Sequence, residues 1–118
     1  MGNTVDPNSQ TQVEARSALV TYEDVASRLE LTLTRPDLHE DAVYDACQKA
    51  LAAGLAAVVV RPSDLDMAVR TLAGTSVAVA SMAGFPHGSS NTATKLYEGR
   101  DNLRRGAREV TLVVNYGR

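Results

Sequence analysis

The first regular pattern in the chain is a strict alternation of apolar and polar residues. Residues 29–34 read Leu-Glu-Leu-Thr-Leu-Thr. A period of two places the three leucines on one face of a β-strand and Glu30, Thr32 and Thr34 on the other. Just before it, Thr21 and Asp24 have the spacing of a capping box. The pattern therefore predicts a short helix to about residue 28, then a strand with one polar face.

Later segments switch between helical and strand periodicity. Between residues 39 and 53 the apolar residues recur at i, i+3, i+4, i+7 and i+8, the stripe of an amphipathic helix that Gly54 ends. Continuous apolar runs are typical of buried strands in parallel sheets. The predicted elements after the first strand are a helix over 39–53, a strand over 55–60, a helix closed near Gly74, a strand over 76–84, a helix from Asn91 to about Gly106, and a strand over 109–115.

This order predicts an α/β protein. Strands separated by helices of this length lie parallel, with right-handed crossovers. Two architectures remain open: a small doubly wound sheet, and the N-terminal half of a TIM (βα)8 barrel. A strand covered on both faces does not carry three polar residues on one face, so the first strand favours the half barrel. The same parity predicts that Arg61, Thr111 and Asn115 also face inward.

Composition narrows the class of protein. The chain has 118 residues, with 12 Lys plus Arg against 14 Asp plus Glu, so a nucleic-acid partner is not expected. Residues 1–16 are polar and are predicted to be a disordered leader, and 17–118 a single domain. The apolar run 55–60 is too short to span a membrane. The single cysteine, Cys47, favours a reducing cytoplasm and fits the apolar face of its helix.

Four segments together resemble one known family. They are Leu31-Thr-Leu-Thr-Arg-Pro-Asp37, Ala56-Ala-Val-Val-Val-Arg-Pro62, Gly84-Phe-Pro-His-Gly88 and Gly106-Ala-Arg-Glu-Val-Thr-Leu-Val-Val-Asn115. In order and spacing they resemble the deoxyribose-phosphate aldolases, over about residues 29–117. The resemblance implies a barrel that forms a Schiff base between a lysine and a carbonyl substrate. That chemistry cleaves 2-deoxyribose 5-phosphate to acetaldehyde and glyceraldehyde 3-phosphate with no metal or other cofactor.

The resemblance also assigns candidate site residues. Glu30 takes the place of a first-strand aspartate, Thr32 matches the family motif, and Thr111 stands where the family has a catalytic aspartate. Arg61 and Asn115 are candidate substrate-binding residues at the mouth. The family's Schiff-base lysine belongs to later strands, so this chain is expected to be inactive alone.

Several alternatives stay open at this point. Glu30 and Arg61 are expected to point to the same side, where they would form an ion pair instead of a substrate site. His39 and His87 stand apart from other ligand residues, so no metal site is expected. The chain would act either on a small phosphorylated sugar or as a non-catalytic scaffold or binding module. In either case it is expected to form a homo-oligomer or to associate with a missing C-terminal half.

Overall fold

The computed structural model describes residues 2, 7–8 and 19–118. Apart from those first three positions, the predicted disordered leader over 1–16 lies outside the described residues and stays a prediction. The elements are α1 (Tyr22–Ala26), β1 (Glu30–Leu33), α2 (Glu40–Ala53), β2 (Ala57–Val60), a 3-10 turn (Pro62–Asp64), α3 (Leu65–Leu72), β3 (Ala78–Ala83), α4 (Thr92–Arg104) and β4 (Glu109–Leu112).

Local chemistry places the helix ends where the sequence predicts them. Thr21 caps α1 by accepting a hydrogen bond from the backbone N–H of Asp24, whose carboxylate accepts one from the N–H of Thr21. Those hydrogen bonds lower the pKa of Asp24. Gly54 ends α2 at φ 70°, a left-handed conformation that glycine adopts at little cost. Asn91 caps α4 through the N–H of Thr94.

The four strands form one parallel sheet in the order β1-β2-β3-β4. The register sets Thr32 beside Val59, Val59 beside Ala80, and Ala80 beside Glu109. β1 and β4 are therefore the outer strands of this sheet. Strands in sequence order with a helix between each pair are the arrangement expected for a barrel.

Helices α2, α3 and α4 pack on the same face of the sheet. α2 contributes Val43, Cys47 and Ala50 to a core that also contains Leu33 and Val58. α3 adds its buried residues to the same core, and α4 contacts β3 and β4. A doubly wound sheet needs helices on both faces, so the structure supports the half barrel.

The opposite face of the sheet has a different composition. Its centre is a small cluster of Val59, Ala80 and Met82, all buried. Thr32 and Thr111 lie on this same face, because they pair with Val59 and Met82 respectively. This concave inner face corresponds to the interior of a closed barrel.

The strands are shorter than the apolar runs predict. β4 ends at Leu112 instead of Asn115, because its partner β3 ends at Ala83 and the next residue, Gly84, turns away at φ 74°. The N–H of Val113 still donates to the carbonyl of Ala83, at 3.0 Å. Beyond that bond the alternation of faces no longer holds.

Candidate active site at the carboxyl edge of the sheet

Arg61 organises the first loop at the carboxyl edge. Its Nε donates to Oδ2 of Asp64 at 2.6 Å, and its two terminal nitrogens donate to the carbonyls of Arg35, Pro36 and Leu38 at 2.9–3.2 Å. The hydrogen bond to Asp64 raises the pKa of Arg61. The guanidinium thus clamps the loop between β1 and α2 with most of its donors already used.

The predicted ion pair between Glu30 and Arg61 is wrong. Glu30 pairs in register with Ala57, at the amino end of β2, whereas Arg61 follows Val60 at the carboxyl end. The four residues from Ala57 to Arg61 correspond to about 13 Å along a strand. The two side chains therefore lie at opposite ends of the sheet, and the carboxylate that pairs with Arg61 is that of Asp64.

A second loop, residues 84–88, packs against the end of β4. The N–H of Gly88 donates to the carbonyl of Gly84 at 2.8 Å, which closes the loop on itself. Gly88 is buried at φ 70°, and a Cβ there would stand 2.7 Å from the carbonyl carbon of Val114 and closer still to its oxygen. Only glycine allows this approach of two backbones. The contact fixes two adjacent loops of the mouth against each other.

Side chains of α4 hold the base of the same loop. Oε1 of Glu98 accepts a hydrogen bond from the N–H of Gly84 at 3.0 Å. The carbons of Lys95 lie across Gly84, where an added Cβ would come 3.0 Å from Cε of the lysine. Lys95 thus belongs to the outer, helix side of the sheet rather than to its inner face.

The three candidate catalytic residues share the inner face but do not meet. Thr32 lies two residues beyond Glu30 along β1, and Thr111 stands on the far strand, level with Met82. Two strands separate Thr32 from Thr111, which is roughly 14 Å along the sheet. In the described part of the chain, their side chains and that of Glu30 have no hydrogen-bond partner and are exposed. The sheet therefore does not bring these three side chains together.

Asn115 does not face inward as the parity of β4 predicts. It lies three residues beyond the end of β4, and its Oδ1 accepts a hydrogen bond from the N–H of Gly117 at 3.3 Å. Together with Leu112, Val114 and Lys95 it borders a groove of about 630 Å³ between α4 and β4. This groove opens on the helix side, away from Thr32 and Thr111.

Several polar residues at this edge were not predicted from the sequence. Ser81 is buried on β3 and donates to the carbonyl of Val60 at 2.9 Å. Asn102 is fully buried on α4; its Nδ2 donates to the carbonyl of Met82 at 3.0 Å, while its Oδ1 has no partner in the described structure. The i, i+3 spacing of Arg61 and Asp64 around a proline is a sequence signal for their pair. Ser81 and Asn102 carry no such signal, because their partners are distant backbone carbonyls.

Two further features concern other kinds of site. Burial raises the pKa of the Cys47 thiol, so it stays neutral in the core. Within the described residues no three His, Cys, Asp or Glu side chains gather as metal ligands. No helix of that part of the chain is long and apolar enough to cross a membrane.

Comparisons with known proteins point to one family. Deoxyribose-phosphate aldolase from Methanothermobacter thermautotrophicus is 36% identical over 97 residues, which cover 82% of this chain and 43% of the relative. The enzyme from Clostridium perfringens is 30% identical over 96 residues, 81% of this chain and 43% of the relative. The chain is a relative of the deoxyribose-phosphate aldolases. It spans less than half the length of these curated relatives, and no protein-family model matches it.

Solved structures give the same answer for the fold. The deoxyribose-phosphate aldolase from Aeropyrum pernix, described as tetrameric, superimposes with a TM-score of 0.79 at 26% identity, over 96% of this chain and 48% of that one. The aldolase QR15 superimposes with a TM-score of 0.75 at 29% identity, over 80% of this chain and 42% of that one. Both the resemblance to deoxyribose-phosphate aldolases and the half-barrel fold are therefore confirmed.

Proposed function

We propose that this chain forms the first half of a deoxyribose-phosphate aldolase-like barrel, and that lyase activity needs a complementary half. The observation that carries the proposal is the length of the match. Relatives and solved aldolases align with about four-fifths or more of this chain but with half or less of themselves. On the inner face, Thr32 and Thr111 are exposed on the two outer strands, which fits a site completed by further strands.

The roles proposed for the two halves of the barrel follow from the positions of the lysines in this chain. In an imine mechanism a neutral lysine amine attacks the substrate carbonyl and water leaves, so the amine must be desolvated or lie near another cation. Lys95 lies on the outer side of the sheet against Gly84, and Lys49 lies on α2, so neither faces the inner cluster. The complementary half supplies the amine, and this half supplies the floor and two ordered loops of the mouth.

Arg61 and Asn115 are not proposed to contact the substrate directly with their side chains. Four chain acceptors already occupy the guanidinium of Arg61, so it acts on substrate through the shape of the loop over residues 35–38. Asn115 turns its Oδ1 back to Gly117. Thr111, in contrast, is exposed on the inner face and is free to meet substrate or a residue of the complementary half.

Imine trapping tests the proposal. The 118-residue chain is produced alone and together with the part of the Methanothermobacter thermautotrophicus aldolase that it does not match. Each sample is treated with acetaldehyde and borohydride, which reduces an imine to a stable secondary amine on the lysine that formed it. Intact-mass and peptide analysis then locate the adduct.

The expected adduct lies on a lysine of the complementary half and forms only in the co-purified pair. Matched controls repeat the experiment with Lys95→Arg and with Lys49→Arg in this chain; each keeps the charge and removes one reactive amine. An adduct on Lys95 or Lys49 of the isolated chain, lost in the corresponding arginine variant, would overturn the proposal. Failure of the two halves to co-purify would argue against complementation.

A self-associating half barrel without lyase activity is the second candidate function. The observation that favours it is the apolar surface of the β4 side, where Leu112 and Val114 are 57% and 64% exposed. Apolar surface beside an unpaired strand edge promotes association. Light scattering on the purified chain checks this candidate, which predicts a mass of at least twice 12.6 kDa.

A further inference from the structure

We propose that two copies of this chain close an eight-stranded barrel in one defined register, which sets Glu30 of one copy beside Thr111 of the other. The proposal rests on the second candidate function and deepens it. It starts from the two outer strands, β1 and β4, which run parallel in one sheet. A twofold axis along the barrel would pair β4 of each copy with β1 of the other, giving eight parallel strands.

The register of this pairing follows from the geometry of the barrel. Along the hydrogen-bonding direction, Thr32 is level with Val59, Ala80 and finally Glu109. A closed parallel barrel of eight strands has a shear of about eight residues, so each half contributes about four. The strands tilt in a right-handed sense relative to the barrel axis. A path that follows the hydrogen bonds from β1 to β4 and on around the barrel therefore moves toward the amino ends of the strands.

Glu109 of one copy therefore meets the position four residues before Thr32 in the second copy. That position is Arg28, two residues before β1. A shift of four in the opposite direction would set Glu109 beside Pro36, beyond the end of β1, and β4 would then have almost no strand to pair with. The descending register instead sets Thr111 and Leu112 beside Glu30 and Leu31, the first two residues of β1, and it sets Glu109 and Val110 beside Arg28 and Leu29, which precede that strand.

The charges of the two segments agree with this register. It sets Glu109 toward Arg28 of the second copy, two residues of opposite charge that are both exposed in the isolated chain. One step further along the same face it sets Thr111 level with Glu30 of the second copy. The shift is even, so inward residues meet inward residues.

The outer face agrees as well. The same register sets Val110 and Leu112 of β4 beside Leu29 and Leu31 of the second copy. Leu112 is 57% exposed and Leu29 is 51% exposed in the isolated chain. Pairing covers both with apolar side chains, and it covers part of the groove between α4 and β4.

The composite contact has a chemical consequence. Adjacent parallel strands lie about 4.8 Å apart, so the carboxylate of Glu30 reaches the hydroxyl of Thr111 in the second copy. The threonine would donate a hydrogen bond to the glutamate inside the closed barrel. Each interface thus places one carboxylate beside the residue that stands at the family's aspartate position.

Crosslinking between variants that each carry one added cysteine tests the register in the full 118-residue chain. Variants Glu30→Cys and Thr111→Cys are mixed, oxidised and analysed without reductant. Leu31→Cys with Leu112→Cys forms a second in-register pair, on the outer face. The mismatched control is Thr32→Cys with Thr111→Cys, offset by two residues, for which the Cα atoms stand roughly 8 Å apart, beyond the reach of a disulfide. The unsubstituted chain controls for the buried Cys47.

We expect covalent dimers from both in-register pairs and none from the mismatched pair or the unsubstituted chain. Circular dichroism of each variant, and the light-scattering mass of the unsubstituted chain, show that the proteins are folded and paired. Crosslinking of the mismatched pair in preference would overturn the register while leaving self-association intact. A folded monomer of 12.6 kDa at tens of micromolar would overturn both the register and the second candidate function. Masses well above a dimer would indicate open-ended association and would also overturn the closed barrel.

Discussion

Replacing Gly88 with alanine is expected to loosen the mouth of the half barrel more than any comparable change at another glycine. Gly88 sits at φ 70° with the backbone of Val114 against its Cα. The added methyl group meets carbonyl atoms that cannot rotate away as a side chain can. The loop over 84–88 and the segment after β4 must therefore separate for the protein to accept it.

The expected loss of stability in Gly88→Ala has two parts, and each can be measured separately. An alanine in the left-handed region costs about 1 to 2 kcal/mol. Forcing a methyl group into a filled space costs a further 1 to 3 kcal/mol, roughly. Gly54 provides the matched control, because it has the same φ of 70° and no atom within 4 Å of its would-be Cβ. Gly54→Ala should therefore lose only the first part.

The assay is urea unfolding of the two variants and the unsubstituted chain, followed by circular dichroism at one protein concentration. We expect Gly88→Ala to lower the free energy of unfolding by about 1 to 3 kcal/mol more than Gly54→Ala. Equal losses in the two variants would refute the close approach of Gly88 to Val114. The two loops would then not be held together by that contact.

Three other predictions concern the clamp, the core thiol and the inner face. Asp64→Asn should lower the urea midpoint more than Asp37→Asn, because Asp64 is 8% exposed and pairs with Arg61, whereas the carboxylate of Asp37 is 63% exposed and its pair contributes little. Burial raises the pKa of the Cys47 thiol above its ordinary value of 9.0. The stability that the buried thiol contributes is therefore complete below pH 9.0 and is lost as the pH rises toward the pKa of the folded state. Above pH 9.0 the free energy of unfolding of the unsubstituted chain should therefore converge with that of Cys47→Ala. In the complemented barrel, Thr111→Asp should raise kcat for deoxyribose phosphate cleavage by up to about 100-fold, since a carboxylate relays protons and a hydroxyl without a base does not; an unchanged or lower kcat would show that position 111 takes no part.

The sequence predicts the order and type of the elements because their signals are local. Alternation over 29–34 and the capping pair Thr21 and Asp24 depend only on neighbouring residues, and β1 and α1 form where they indicate. Gly54 ends α2 for an equally local reason, its positive φ. The half barrel itself follows from the polar face of one strand together with the order of the elements.

The site was harder to predict because its partners are distant in sequence. Parity along β2 and β4 places Arg61 and Asn115 on the inner face, but both follow the end of a strand, where parity no longer applies. Arg61 instead finds carbonyls 23 to 26 residues away. The position of Glu30 at the amino end of the sheet depends on the register between β1 and β2. The residue pattern of β1 alone does not predict that register.

The most direct test of the half-barrel account is the rate of glyceraldehyde 3-phosphate release from 2-deoxyribose 5-phosphate by three samples at equal concentration. These are the 118-residue chain alone, the unmatched part of the Methanothermobacter thermautotrophicus aldolase alone, and the two produced together. The account predicts cleavage above the uncatalysed rate only in the combined sample. Cleavage by the 118-residue chain alone, abolished by Lys95→Arg or Lys49→Arg, would contradict it.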